Sequence, residues 1–112
     1  MELRSRSEKT LQVVSVLDDR IDAAVAIKFK DAMRESTDGG SDVVVLDLSE
    51  VHFIDSSGLG AIVAAMKHMG SSRKLALAGL TPTVEKVFRL TRMDSVFSVF
   101  PTLDGALEQL NP

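Results

Sequence analysis

An acid, two hydroxyls and two glycines occur together in the short segment Asp55-Ser56-Ser57-Gly58-Leu59-Gly60, between two apolar stretches. Small polar residues at the start of a helix accept hydrogen bonds from its first amides. A phosphate attached to a hydroxyl there would also lie beside unpaired N–H groups and the positive end of the helix dipole. The segment therefore predicts either simple helix capping or a serine that accepts a phosphoryl group.

Two enzymatic interpretations of this segment are weaker. His52, Asp55 and Ser56 are the residue types of a hydrolytic triad, but three members so close in sequence seldom reach triad geometry, and the Gly-x-Ser-x-Gly turn is absent. The two glycines match neither the Walker pattern nor the dinucleotide fingerprint. With two histidines and no cysteine, the chain also offers few ligands for a metal. We expect no enzymatic activity, no cofactor and no metal.

Composition limits the remaining classes of function. The 112 residues, 45% of them hydrophobic, suffice for one core, so we expect a single domain over residues 1–112. A formal net charge of −3 argues against direct binding of nucleic acid. No apolar run approaches the ~18 residues of a membrane span, and Met1–Thr10 is too polar for a signal-peptide core. Together with the lack of cysteine, this favours a cytoplasmic protein without membrane contact.

Hydrophobic periodicity predicts alternating strands and helices after an opening hairpin. The near-continuous apolar run Val43–Leu48 is typical of a central strand that is covered on both faces. Asp22 is a plausible N-cap for the first helix, and Thr81-Pro82 is a cap followed by proline at the first helical position. The predicted strands are Glu2–Ser7, Leu11–Leu17, Val43–Leu48, Lys74–Ala78 and Val96–Val99; the predicted helices begin at Asp22, Ser56, Pro82 and Thr102, and Ser49–Ile54 is a connection. This order predicts an α/β sandwich with a mixed sheet.

Residues 47–60, Asp-Leu-Ser-Glu-Val-His-Phe-Ile-Asp-Ser-Ser-Gly-Leu-Gly, resemble the signature of the STAS domain of bacterial anti-sigma factor antagonists. The likeness extends over about residues 9–110, including Ile21-Asp22 at the first helix and Leu80-Thr81-Pro82 at the third. The resemblance implies a STAS-like sandwich, with a mixed four- to five-stranded sheet and about four helices packed mainly on one side. One departure precedes Asp22: many members have a glycine-acidic pair there, whereas this chain has Leu17-Asp18-Asp19-Arg20-Ile21, so the resemblance leaves the shape of the neighbouring loop open.

The resemblance also implies a function by partner switching. The unphosphorylated protein would bind an anti-sigma factor that is also a serine kinase and so free a sigma factor; phosphorylation of Ser56 would block binding, and a phosphoserine phosphatase would reset the switch. The alternative is a STAS scaffold or accessory subunit of a stress-signalling or transport complex, in which the serine does not switch. By the same resemblance Asp55 belongs to the phosphorylation loop, Ser57 and Gly58 begin the helix, and Asp22 lies close by.

Helical spacing leaves Ala23, Ala24 and Ile27 off the core face of the first helix, where they would form a modest apolar surface near Ser56. Single exposed apolar residues are common on globular proteins, so a partner-facing role for Ile27 and simple exposure both stay open. The predicted partner-binding set is Asp22, Ala23, Ala24, Ile27, Asp55, Ser56, Ser57, Gly58 and Leu59.

Overall fold

The computed structural model of the chain describes residues 1–111. Within that range the backbone forms seven strands and four α-helices, with a 3-10 turn at Met93–Ser95. The strands are β1 (Leu3–Glu8), β2 (Leu11–Val16), β3 (Arg20–Ile21), β4 (Val43–Asp47), β5 (Phe53–Ile54), β6 (Lys74–Ala78) and β7 (Ser98–Phe100); the helices are α1 (Ala26–Thr37), α2 (Ser56–Met69), α3 (Pro82–Leu90) and α4 (Leu103–Leu110).

Five of the strands in the described range build one mixed sheet in the order β1-β2-β4-β6-β7. β1 and β2 are antiparallel, while β2, β4, β6 and β7 run parallel to one another. The apolar strand β4 is central, as predicted, with β2 and β6 as its neighbours. β3 and β5 form a separate two-stranded parallel ribbon. Pro112, the last residue of the predicted single domain, lies outside the described residues.

The two faces of the sheet bury two unequal cores. Alternate residues of β4 separate them: Val44 and Leu46 pack with residues of α1, α2 and α3, whereas Val45 packs with Ala106 of α4. Three helices therefore cover one face and α4 covers the other. The α/β sandwich with helices mainly on one side is confirmed.

The predicted start of the first helix is wrong by four residues. α1 begins at Ala26 with Val25 as its N-cap residue, and Asp22 instead opens a turn in which its Oδ1 accepts the N–H of Ala24 at 3.1 Å. The intervening N–H of Ala23 bonds to Asp55 across the fold, at 3.2 Å. This tertiary hydrogen bond holds the segment outside the helix.

The predicted bounds of the last strand and the predicted connection Ser49–Ile54 also differ from the structure. The N–H groups of Val96 and Phe97 both donate to the carbonyl of Met93, so these two residues close the 3-10 turn and the last strand is Ser98–Phe100. The segment Ser49–Ile54 contains β5 and is not purely a connection. Among residues 1–111, no helix combines the length and apolar character that crossing a lipid bilayer requires.

Candidate functional site

The start of α2 is fixed by the carboxylate of Asp55. Asp55 has extended backbone angles, and its Oδ1 accepts the N–H of Gly58 at 2.8 Å, as a helix N-cap does. Helix α2 then runs from Ser56 to Met69, the range that the apolar spacing predicts. The two hydroxyls thus occupy the first two helical positions, where amides have no acceptor within their own helix.

The second oxygen of the same carboxylate joins α2 to the segment before α1. Asp55 Oδ2 accepts the N–H of Ala23 at 3.2 Å, and the Asp55 N–H donates to the carbonyl of Ile21 at 3.4 Å. Asp55 therefore serves as both cap and crosslink, a double role that its two carboxylate oxygens allow. Ile21 and Ala23, the residues on either side of Asp22, are thus both hydrogen-bonded to Asp55.

Gly58 is required by a close approach of two backbones. A Cβ atom on Gly58 would overlap the carbonyl oxygen of Ile21 and lie 2.8 Å from its carbonyl carbon. Gly58 is buried, and only a residue without a side chain allows β3 and α2 to pack this closely. In contrast, a Cβ on Gly60 would meet open space, so the second glycine of the segment has no such role.

The nine predicted partner-binding residues divide into an exposed set and a supporting set. Ser56, Ser57, Ala23 and Ala24 are exposed, and Ile27 is 70% exposed on α1. The supporting residues are Asp22, Asp55, Gly58 and Leu59, which are buried or half-buried. The fold brings the two sets together, because the Asp55 hydrogen bonds tie the 21–24 segment to the start of α2.

His52 does not complete a triad with Ser56. Its Nδ1 lies 2.9 Å from Asp19 Oδ1, and its backbone N–H donates to the Asp19 carbonyl at 2.7 Å. Both oxygens of Asp55 are occupied by backbone N–H groups. The hydroxyl of Ser56 thus sits at the start of a helix without the relay that a hydrolytic serine uses.

Sequence reasoning missed the exposed side chains of the β3–β5 ribbon. Arg20 and Phe53 are direct partners in its register, and Phe53 is 42% exposed. The Arg20 guanidinium lies over the Phe53 ring, with Cζ 5.2 Å from the ring centroid. Two-residue strands are too short for an alternating pattern, so no periodicity marked these residues.

The sheet order, the helices on its faces and the capped start of α2 define a mixed α/β sandwich, and comparison with known proteins gives its family. The model of the STAS domain family matches residues 6–106. A Listeria monocytogenes protein, the anti-sigma-B factor antagonist, is 32% identical over 80 residues, which cover 70% of each chain. The chain belongs to the STAS domain family.

Two other comparisons concern coverage and fold. A Thermotoga maritima relative is 36% identical over 72 residues, a match that spans 63% of this chain and 64% of that protein. The crystal structure of an anti-sigma factor antagonist from Mycobacterium paratuberculosis superposes with a TM-score of 0.87 at 28% identity, covering 97% of this chain and 92% of that one. The predicted STAS-like fold is therefore confirmed over nearly the whole chain.

Proposed function

We propose that the protein is an anti-sigma factor antagonist that switches partners through Ser56. The unphosphorylated form binds an anti-sigma factor that is also a serine kinase, and this binding frees a sigma factor. The observation that carries the proposal is the exposed Ser56 hydroxyl at the start of α2, where Asp55 ties it to the segment of the exposed Ala23 and Ala24 that leads into α1. The relatives that are themselves anti-sigma factor antagonists support the same assignment.

We define the docking surface as the exposed residues Ala23, Ala24, Ile27, Ser56 and Ser57, held in place by Asp22, Asp55, Gly58 and Leu59. Its apolar part supplies area that a partner can bury, and its two hydroxyls supply polar contacts. Such a surface binds a protein without any change in fold, since the Asp55 hydrogen bonds already join the start of α2 to the segment before α1.

Phosphorylation of Ser56 ends this complex by changing the charge in the middle of the contact. The kinase transfers the γ-phosphoryl group of ATP to the Ser56 Oγ, releasing ADP and the hydroxyl proton, and adds about −1.5 to −2 charges beside the Asp55 carboxylate. A thousandfold loss of affinity corresponds to ~4 kcal/mol, and desolvating an unpaired dianion is costly enough to supply that amount. The helix N-terminus accommodates the phosphate within the domain, so the effect falls on the interface.

The protein has no catalytic task in this scheme. The partner kinase catalyses phosphorylation of Ser56, and a phosphoserine phosphatase removes the phosphoryl group. The single STAS domain binds the anti-sigma factor only in its unphosphorylated form. The role requires neither nucleic acid nor membrane as a partner, and it is carried out in the cytoplasm, where sigma factors act.

Labelling tests the assignment of the serine. Each anti-sigma factor kinase of the source organism is incubated with ATP and the purified protein, and the peptide that contains residues 55–60 is analysed by mass spectrometry. We expect one phosphoryl group on Ser56. Ser56→Ala should abolish labelling and keep the anti-sigma factor bound, whereas Ser56→Asp, which carries one charge where phosphate carries nearly two, should bind more weakly than wild type.

Ser57→Ala is the matched control, because Ser57 is an exposed hydroxyl one residue further along the same helix. It should be labelled as well as the wild type. If Ser57→Ala removed the label and Ser56→Ala did not, the switch would reside in the other serine. Binding without any labelling would instead favour the non-switching scaffold subunit.

A further inference from the structure

The ribbon of β3 and β5 carries an arginine that is held in place on two sides. Phe53 lies beneath the Arg20 guanidinium, with Cζ 5.2 Å from the ring centroid, and the two residues are paired in the ribbon register. An arginine stacked on an aromatic face gains from cation–π attraction and from contact between flat groups. The stack therefore limits the orientations that this guanidinium can adopt.

Asp22 forms an ion pair with the same guanidinium. Its Oδ2 lies 3.1 Å from Arg20 Nε, while its Oδ1 is occupied by the N–H of Ala24. The Asp22 side chain is 18% exposed and that of Arg20 is 59% exposed, so the carboxylate is largely buried while the arginine side chain is largely open to solvent. The ion pair with Asp22 approaches the guanidinium at Nε, and the four N–H donors on its two terminal nitrogens stay available for a further acceptor.

Arg20 and Phe53 are continuous with the docking surface. β5 ends at Ile54, directly before Asp55 and Ser56, and Asp22 is followed by Ala23, whose N–H is bonded to Asp55. A partner that covers Ser56 and Ile27 would thus have the ribbon at the edge of its contact. Aromatic residues and arginine are both enriched at protein interfaces, and arginine is often among the few residues that dominate the binding energy.

We propose that Arg20, stacked on Phe53, is a second part of the docking surface and binds a carboxylate of the same anti-sigma factor. This inference rests on the proposed function and names the chemistry of its partner. A carboxylate matches the paired terminal N–H groups of a guanidinium, and because Asp22 and Phe53 already hold the group in place, little side-chain entropy is lost on binding.

An acidic contact on the partner also explains why phosphorylation would weaken the complex and not strengthen it. A basic partner surface near Ser56 would be attracted by a phosphoryl group, and phosphorylation would then strengthen the complex. A partner carboxylate bound at Arg20 is instead repelled by a phosphoryl group on the same docking surface. Release on phosphorylation follows from the second arrangement.

The experiment measures the affinity of unphosphorylated variants for the purified anti-sigma factor kinases of the source organism. The variants are Arg20→Glu and Arg20→Ala, and the matched control is Arg89→Glu. Arg89 has the same side-chain exposure, 59%, and a comparable ion pair, 2.9 Å to Glu85, but lies on α3. We expect Arg20→Ala to weaken binding about tenfold and Arg20→Glu by more, with Arg89→Glu unchanged.

Each outcome decides between the two proposals. Wild-type affinity for Arg20→Glu and Arg20→Ala, or tighter binding by either, would overturn the role of Arg20 while leaving the proposed function intact. If none of the anti-sigma factors bound the wild-type protein, the proposed function itself would fail. Thermal melting of each variant confirms that a loss of binding does not come from unfolding, since Arg20 is mostly solvent-exposed.

Discussion

Helices α2 and α4 begin in nearly the same way, yet α2 begins in the proposed docking surface. In α2 the Asp55 carboxylate accepts the Gly58 N–H at 2.8 Å, and in α4 the Thr102 hydroxyl accepts the Gly105 N–H at 3.0 Å. Both helices thus have a polar cap and a glycine three residues later. The local sequence pattern is shared, so the local pattern alone does not create a site.

The difference lies in what surrounds each cap. Asp55 uses its second oxygen to hold Ala23, and Gly58 packs against the backbone of Ile21. The cap of α4 makes a contact within its own turn, and a Cβ on Gly105 would meet the Thr102 hydroxyl at 3.0 Å. The two starts therefore differ in their tertiary contacts: those of Asp55 and Gly58 fix the position of Ser56 and Ser57 relative to the segment before α1.

The largest expected contrast comes from substituting the two glycines. Gly58→Ala places a Cβ against the Ile21 backbone, which cannot rotate away, so we expect the free energy of unfolding to fall by about 3 kcal/mol. Gly105→Ala meets a side-chain hydroxyl that can move, and alanine favours helix, so its effect should stay within ~1 kcal/mol. Urea unfolding of both variants measures this contrast, and equal losses would contradict it.

A smaller contrast is expected from the caps themselves. Asp55→Ala removes both the cap and the acceptor for Ala23, at a cost of about 2 kcal/mol in unfolding free energy, while Thr102→Ala removes a cap alone at about 1 kcal/mol. Asp55→Asn keeps one oxygen for Gly58 and should fall between wild type and Asp55→Ala. A cost for Asp55→Ala no greater than that for Thr102→Ala would show that the crosslink to Ala23 adds nothing.

The sequence predicts the parts of the molecule whose signals are local. The continuous apolar run of β4 and the one-sided spacing of α2 indicate both elements with nearly correct bounds, and the polar residues at Asp55 and Ser56 indicate where α2 begins. The start of α1 was wrong because its decisive hydrogen bond, from Ala23 to Asp55, joins residues 32 positions apart. Arg20 and Phe53 were missed for the same reason, since their contact depends on pairing between two short strands.

The central claim is that the Ser56 hydroxyl lies inside a protein contact, and calorimetric titration tests it most directly. Unphosphorylated protein and protein fully phosphorylated on Ser56 are each titrated with the anti-sigma factor, and both forms are melted as a control. We expect an affinity loss of about a thousandfold on phosphorylation, with little change in melting temperature. Equal affinities for the two forms would contradict the account, and so would a loss of binding that is matched by a large loss of thermal stability.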